Sequence, residues 1–433
     1  MSAMAGAVRP AVVVVGAGFA GLWVARHLSA AAVDVVLVDR NNYHTFFPLL
    51  YQVAAAEIEP EQIAYPVRGI FRRRGNVGFV MAEVEGVDFA HRQVDLGERR
   101  LDYDYLVLAV GSVSRFFGTP GAAAHAFELK TLEQGIGLRN HILGRFEYAA
   151  SVRDPAARRR ALAFTVVGGG PTGVEFAGAL AELVAGTLAQ DYPTLNLADV
   201  RIMVLEAGDG LLAGFPEELR AYAANKLAEL GVGVRLGARV AAVTADTVTL
   251  AGGETLATET VVWTAGVKGS PLATALGLPT FPDGRVRAEP TLQVPGHPEI
   301  FVAGDLCGVE QAGRLLPQIA PVAIQQGRHV ARNILRHKAG RPLKPFGYRD
   351  KGTMATIGRT SAVVRLWGRA FKGFGAWTLW LFVHLLYLVG FRNRLFVLVN
   401  WSWDYFFFER GVRLILPRVP REEKKPGQER TEP

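Results

Sequence analysis

Apolar positions along this chain come in two kinds of run. Ala11–Val15 is short and unbroken, and residues 33–38, apolar but for Asp34, form a second run that ends on Asp39. Between them, residues 22–30 mix apolar and polar positions at helical spacing. A strand covered on both faces is apolar throughout, so the two runs are expected to be neighbouring parallel strands joined by a helix. The pattern then returns. Residues 162–167 are apolar but for Thr165, residues 174–185 are helical in character, and the next strand, Arg201–Leu205, is apolar after its arginine and runs into Glu206. Each copy has a later echo, DYLVLAVGS (104–112) after the first and TVVWTAGVKGS (260–270) after the second. Two copies in one order describe an internally duplicated α/β unit.

One more apolar run, EIFVAGDLC (299–307), ends on Gly304 and Asp305. A long helix is expected over about 320–337, with Pro317 and Pro321 marking its start, because the fixed φ of proline suits a first helical turn. Past a proline-bearing linker the pattern changes. Residues 376–391 are sixteen in a row without Asp, Glu, Lys or Arg, and residues 395–403 are nine more. Residues 419–433 are charged and proline-bearing, a composition expected to be disordered.

Length and charge narrow the picture. At 433 residues the chain exceeds one simple core and should form two or three domains. The formal charge of +8 suits acidic ligands or anionic lipid; no nucleic-acid motif is present, so nucleic acid is not an expected partner. The amino terminus lacks the basic start of a secretion signal. Cys307 is the only cysteine, which removes an intrachain disulfide, a cysteine-ligated cluster and a cysteine-based zinc site. Scattered histidines such as His44 and His384 have no ligand spacing, so no metal is expected.

The chemistry sits in the turns. GAGFAG at 16–21 fits G-x-G-x-x-G. In that pattern Gly16 permits the tight turn, Gly18 lets backbone approach a pyrophosphate, and Gly21 lets helix and strand pack closely; Ala17, Phe19 and Ala20 complete the loop. Asp39 lies 18 residues beyond Gly21, where a carboxylate accepts from a ribose, and Arg40 follows it. The second loop, GGGPTG, supplies Gly168, Gly170, Pro171, Thr172 and Gly173. Glu206 closes the next strand and should favour NADH over NADPH by repelling a 2′-phosphate. It comes 33 residues after Gly173, against about 20 in the usual pattern, so residues 186–199 are expected to be an insertion. The echo strands end in turns carrying Ala109, Gly111 and Gly266. The late Gly304-Asp305 is similar to the pattern of two-dinucleotide flavoproteins, in which such a carboxylate serves the ribityl and pyrophosphate region and the following helix aims its positive end at the flavin; that likeness argues for FAD at the first loop. Glu175 lies on the first helical turn after the second loop. From the residues alone it is either a favourable helix-dipole charge or a group facing nicotinamide and flavin. With one cysteine, disulfide reduction and cysteine-relay sulfide oxidation are excluded, which leaves hydride to flavin and then electrons to an organic acceptor.

Residues 377–416 carry tryptophans at 377, 380, 401 and 403 and arginines at 392, 394, 410 and 413. Aromatics with basic flanks suit a membrane interface. Sixteen charge-free residues fall short of the ~20 a spanning helix needs, so a helix or helix pair lying in one leaflet is expected; a buried dimer interface is the other reading.

Together with these loops, RNNYHTFFPLLYQVA (40–54), YDYLVLAVGS (103–112), GGGPTGVEFAGALAEL (168–183), VVWTAGV (261–267), FVAGDL (301–306), APVAIQQGR (320–328) and DKGTMATIGR (350–359) resemble the type II NADH:quinone oxidoreductases. These are single-subunit respiratory NADH dehydrogenases that do not pump protons. The resemblance implies an α/β chain of two Rossmann-like dinucleotide-binding domains, the two-dinucleotide flavoprotein fold, with a C-terminal membrane-anchoring segment. The FAD domain would comprise residues 1–115 and 286–345, the NADH domain 116–285, the membrane-associating region 346–418, and the tail 419–433. Glu175 would assist proton handling near nicotinamide, flavin and quinone, and Lys351 would lie near the flavin ring. Val84 would touch the adenine part of FAD through its backbone, and Ala323 and Ile324 would lie under the flavin. Many members read A-Q-x-A-x-Q where this chain has A-P-V-A-I-Q, with Pro321 at the glutamine position. Gln318, Pro321 and Gln325 are therefore the quinone candidates, with menaquinone or ubiquinone as acceptor. A homodimer held peripherally on the inner face of the cytoplasmic membrane is also implied. The alternatives are a reductase for a soluble ferredoxin or rubredoxin, an NADPH-dependent quinone reductase in biosynthesis, and a nucleotide-sensing flavoprotein.

Overall fold

The apolar runs gather into two parallel sheets. A computed structural model describes residues 9–407 and 412–415; the expected tail at 419–433 lies outside them. The first sheet has six strands in the order Gln293–Val294, His297–Val302, Tyr105–Leu108, Ala11–Val15, Asp34–Asp39, Val77–Met81. The late strand His297–Val302 pairs in parallel with Tyr105–Leu108, although nearly two hundred residues separate them. The second sheet repeats the scheme in five strands, ordered Ala126–Glu128, Thr260–Trp263, Ala163–Val167, Arg201–Leu205, Val232–Arg235. All of its pairings are parallel. The central strands are buried on both faces: Val12, Val13, Val14, Leu106, Val107, Val166 and Val204 are shielded from solvent, as continuous apolar runs in parallel sheets require.

Element ends shift in an instructive direction. The first helix is Phe19–Leu28, not 22–30, and the second is Pro171–Glu182, not 174–185. Each helix begins inside its glycine loop. That places the unpaired N–H groups of the first turn at the loop, the kind of helix start that can hold a phosphate. The second helix continues as a π-helical stretch, Leu183–Leu188, and a short helix, Ala189–Asp191. A single 3-10 turn, Leu197–Asp199, then leads into the next strand. The extra residues therefore sit at the far end of the helix from the loop, and Glu206 still reaches it. The long late helix is Ala320–Lys338, with proline in its first turn.

Residues 346–418 differ most from expectation, because they open with a sheet. Thr353–Thr356, Ala362–Leu366 and Arg369–Gly373 form an antiparallel three-stranded sheet, and Ala355, Ile357, Val363 and Val364 join the core beneath the second sheet. Two helices follow, Phe374–Tyr387 and Phe391–Phe407, broken at Gly390, whose φ is +91°. Among the described residues the one helix long and apolar enough to cross a membrane is Pro171–Asp191, and 72% of its window is buried in the core. It is a core helix.

Candidate functional site

The two glycine loops are built alike, bond for bond. The Gly16 amide donates to the Val38 carbonyl at 2.7 Å, and the Gly168 amide to that of Leu205 at 2.8 Å. Both glycines stand at positive φ, 103° and 112°. A Cβ on Gly21 would lie 1.8 Å from the Gly16 carbonyl oxygen, and one on Gly173 would lie 2.0 Å from that of Gly168. Only glycine fits either position. A Cβ on Gly18 or Gly170 would meet no protein atom within 4 Å, so the backbone there is open and could hold a pyrophosphate. The acids match as well. Asp39 accepts the Ala17 amide at 2.7 Å on one oxygen and the Asn41 amide at 2.8 Å on the other. Glu206 accepts the Gly169 and Gly208 amides, both at 2.7 Å, in the same manner. A carboxylate has about four acceptor positions, so each keeps room for ribose hydroxyls.

Around the first loop the remaining candidates converge. A Cβ on Gly304 would meet the Ala20 Cβ at 3.1 Å and the Ala323 Cβ at 3.7 Å. Ala323 and Ile324 are buried at the start of Ala320–Lys338. That helix crosses Phe19–Leu28 so closely that a Cβ on Gly327 would stand 2.4 Å from the Ala20 carbonyl oxygen. Asp305 accepts the Ser112 hydroxyl at 2.7 Å. Ala109 is buried at the end of its strand, Gly111 turns at φ +72°, Val84 is half-buried, and Arg40 is exposed. His44 is buried with Nδ1 2.8 Å from the Ala17 carbonyl, and its Nε2 has no partner among the described residues. Exposed loop backbone, spare carboxylate acceptors and an unpartnered buried nitrogen together fit an adenine dinucleotide. At the second loop Pro171 and Thr172 are exposed on the first helical turn, and Gly266 turns at φ +70° beneath the Phe117 ring.

Glu175 is buried on the helix that the second loop starts. That helix meets the C-terminal sheet without a gap: a Cβ on Gly178 would lie 2.7 Å from the Gly358 amide nitrogen. The contact brings the Thr356 amide to the Glu175 carboxylate at 3.2 Å. Burial raises the Glu175 carboxyl to about 8; the Thr356 amide and the Trp380 indole oppose the shift, and the Glu57 carboxylate adds to it. The indole nitrogen of Trp380 is buried without good hydrogen-bond geometry, so its influence is that of a nearby dipole. Glu175, Glu57, Tyr51, Thr356, Trp380 and Trp401 line one cavity. A bonded chain runs along it: Trp401 Nε1 to Gln52 at 3.1 Å, Gln52 to the Tyr51 hydroxyl at 3.2 Å, and that hydroxyl to Thr356 Oγ1 at 3.0 Å. His384 stacks on Trp380 at 3.9 Å, and burial lowers its pKa to about 4, so it is neutral.

Comparisons with known proteins agree with this geometry. Residues 10–327 match the pyridine nucleotide-disulphide oxidoreductase family, and residues 351–410 match the NDH2 C-terminal domain. The chain is 37% identical over 418 residues to the type II NADH:quinone oxidoreductase Ndh of Mycobacterium tuberculosis, covering 93% of this chain and 89% of that one. It is 33% identical to the enzyme of that description from Staphylococcus haemolyticus, over 84% and 92% of the two chains. The chain belongs to the type II NADH:quinone oxidoreductases. NDH2 of Plasmodium falciparum, solved in complex with NADH, superposes with a TM-score of 0.86 at 18% identity, over 95% of this chain and all of that one.

Within this type II oxidoreductase the remaining candidates lie apart from the Glu175 cavity. Gln318 donates to the Asp305 carbonyl at 2.8 Å. Gln325 is spent on the Arg349 backbone, donating at 3.0 Å and accepting at 3.1 Å. Pro321 starts its helix. None of the three lines the cavity. Lys351 is exposed, with Nζ 3.4 Å from the Tyr387 hydroxyl.

The tryptophans need a correction. Read from sequence they form an interfacial belt, yet Trp380 is wholly buried, and Trp377, Trp380 and Trp401 face the cavity; Trp403 is 50% exposed. Arg394 does not simply interrupt an apolar run. Its guanidinium caps the preceding helix, donating to the Leu386 and Leu388 carbonyls, both at 2.8 Å. Sequence reasoning missed Tyr51, Gln52 and Glu57. They fall within or beside the FPLLYQVA stretch, but no periodicity marks a cavity built from elements three hundred residues apart.

Proposed function

We propose that this chain oxidises NADH through bound FAD and reduces a membrane quinone by two electrons, without pumping protons. The carrying observation is Glu175, a carboxyl that stays protonated at neutral pH, placed on the NADH-loop helix and facing a cavity roofed by the C-terminal helices. When bound, FAD supplies the two-electron carrier between nicotinamide and quinone. Gly16–Gly21, Asp39 and Asp305 hold it, with Val84, Ala109, Gly111, Ala323 and Ile324 around it. Gly168–Gly173, Gly266 and Glu206 hold NADH. Glu175 keeps a proton on its carboxyl oxygen below about pH 8 and delivers it to the quinone oxygen. The bonded chain from Trp401 to Thr356 keeps the roof registered over that carboxyl.

The outer face of the roof supports docking on a lipid surface, which we place at the inner face of the cytoplasmic membrane. Phe374, Phe382 and Leu386 fall on one stripe of the first helix, and Leu395, Val399 and Trp403 on one stripe of the second; all are about half exposed. A homodimer would compete for that apolar face, so flotation with lipid vesicles against mass in detergent separates the two uses. Anaerobic stopped-flow tests the function itself. NADH should bleach the flavin, and a menaquinone or ubiquinone analogue should restore its colour within the turnover time. Reoxidation by ferredoxin or rubredoxin but by no quinone would overturn the proposal.

A further inference from the structure

Lys130 takes no part in the chemistry described above, yet it is half-buried and held from two sides. It precedes the 20-residue helix Leu132–Ser151, whose start is closed by a reciprocal cap. The Thr131 hydroxyl accepts the Gln134 amide at 3.2 Å, and Gln134 Oε1 accepts the amides of Lys130 and Thr131 at 2.9 and 3.0 Å. Such a cap fixes the entry angle of the chain. On the other side, Glu128 is in register with Trp263 in the second sheet and accepts from Gln134 Nε2 at 3.2 Å.

From this anchored backbone the side chain crosses to the first unit. Its Nζ donates to Ser112 Oγ at 3.1 Å, and that hydroxyl donates to Asp305 Oδ2 at 2.7 Å. An ammonium carried by the second unit thus reaches, through one hydroxyl, the carboxylate assigned to the flavin. Burial lowers the Lys130 pKa, while the carboxylates of Asp305 and Glu128 hold the charge in place. A pure packing role needs no charge, whereas this ammonium is aimed at a hydroxyl that is itself bonded to a carboxylate. A dinucleotide brings two phosphate charges, and its reduction adds another negative charge. A fixed cation at this seam offsets both.

We infer that Lys130 is a positioning residue for the flavin: it orders Ser112 and Asp305 and sets a positive charge that favours FAD retention and two-electron reduction. The inference rests on the reading of Asp305 as a flavin ligand. The test uses the full-length FAD-loaded protein without quinone. Dye-equilibrated anaerobic reduction gives the midpoint potential, and dilution gives FAD release. In Lys130→Met the reduced-to-oxidised ratio at fixed dye potential should fall at least about tenfold, close to 30 mV for a two-electron couple. Lys130→Arg should recover most of it. A Lys130→Met potential and FAD release within about twofold of the parent overturn the inference, since twofold is under half a kcal/mol. If Lys130→Met does not fold, Ser112→Ala decides: it keeps the charge but cuts the bridge, so faster FAD release supports the inference and unchanged release overturns it. Asp305→Asn separates the layers. FAD lost only in Asp305→Asn sinks the role of Lys130 alone, whereas FAD kept in Asp305→Asn sinks the assignment beneath it.

Discussion

Replacing Glu175 with glutamine isolates one proton in a shape-conserving change. The carboxyl moves from 4.5 to about 8 on folding, and at about 1.4 kcal/mol per unit this is roughly 5 kcal/mol in favour of the neutral form. Below pH 4.5 the group is neutral in both folded and unfolded chains and contributes nothing. Between 4.5 and 8 only the unfolded chain ionises, so stability falls as pH rises; above 8 both forms ionise and the full penalty stands. Glutamine escapes that penalty and still offers an oxygen to the Thr356 amide. Glu175→Gln should therefore match the parent near pH 4.5 and exceed it at pH 9 by a few kcal/mol, a rise of several degrees in melting temperature. The gain in stability should come with a loss in rate. Quinone-driven flavin reoxidation in the parent should slow above about pH 8 as the proton is lost. In the variant it should be slower by about a hundredfold or more and lack that break. Flavin reduction by NADH should change far less. Thermal melts at pH 5 and 9, with stopped-flow reoxidation across pH 6–10, measure both. A variant that keeps the break near pH 8, or gains no stability from pH 5 to 9 relative to the parent, would refute the reasoning.

Other outcomes follow from the same geometry. Glu206→Gln removes the charge that opposes a 2′-phosphate, so the NADH/NADPH ratio of kcat/KM should drop by about tenfold, read from steady-state rates. Gly173→Ala places a methyl 2.0 Å from the Gly168 carbonyl oxygen; flavin reduction by NADH should be lost while FAD absorbance remains. Phe382→Asp with Leu386→Asp, both on the exposed stripe, should abolish vesicle flotation while leaving flavin reduction by NADH unchanged. Gln52→Leu breaks the link between Trp401 and Tyr51; the KM for quinone should rise while NADH bleaching stays at the parent rate.

What could be read in advance depended on how local the physics was. The glycine loops were legible because a few residues carry both the conformation and the chemistry: Gly16 must turn and Gly21 must lack a side chain. Glu206 stands at an unusual spacing, and the π-helical stretch Leu183–Leu188 helps to explain why, by adding length at the helix end away from the loop. The sheet at 353–373 escaped because its strands are short and bounded by glycine turns, with Gly352, Gly358, Gly368 and Gly373 all at positive φ. The tryptophans misled for a different reason. Composition says that an indole likes an interface, but not whether lipid or a protein cavity makes that interface. Trp380 and Trp403 look alike in sequence and face opposite ways.

The two loops also show why duplication did not yield two equal sites. Asp39 and Glu206 make the same pair of bonds to their loops, so nucleotide anchoring alone does not distinguish them. The difference lies in what packs on the helix that each loop begins. Phe19–Leu28 is crossed by Ala320–Lys338 at Gly327, a contact that brings Gly304 and Asp305 against the first loop. Pro171–Glu182 is met at Gly178 by the turn at Gly358 instead, and that contact sets Thr356 on Glu175 beneath the tryptophan roof. Each approach needs a glycine, since a Cβ would collide with backbone at 2.4 Å in the first case and 2.7 Å in the second. Alanine at Gly178 should then push the C-terminal sheet off its helix and slow quinone reduction, with NADH bleaching preserved. Alanine at Gly327 should loosen FAD and slow both half-reactions. If both substitutions slowed the two half-reactions equally, the division of labour between the helices would be wrong.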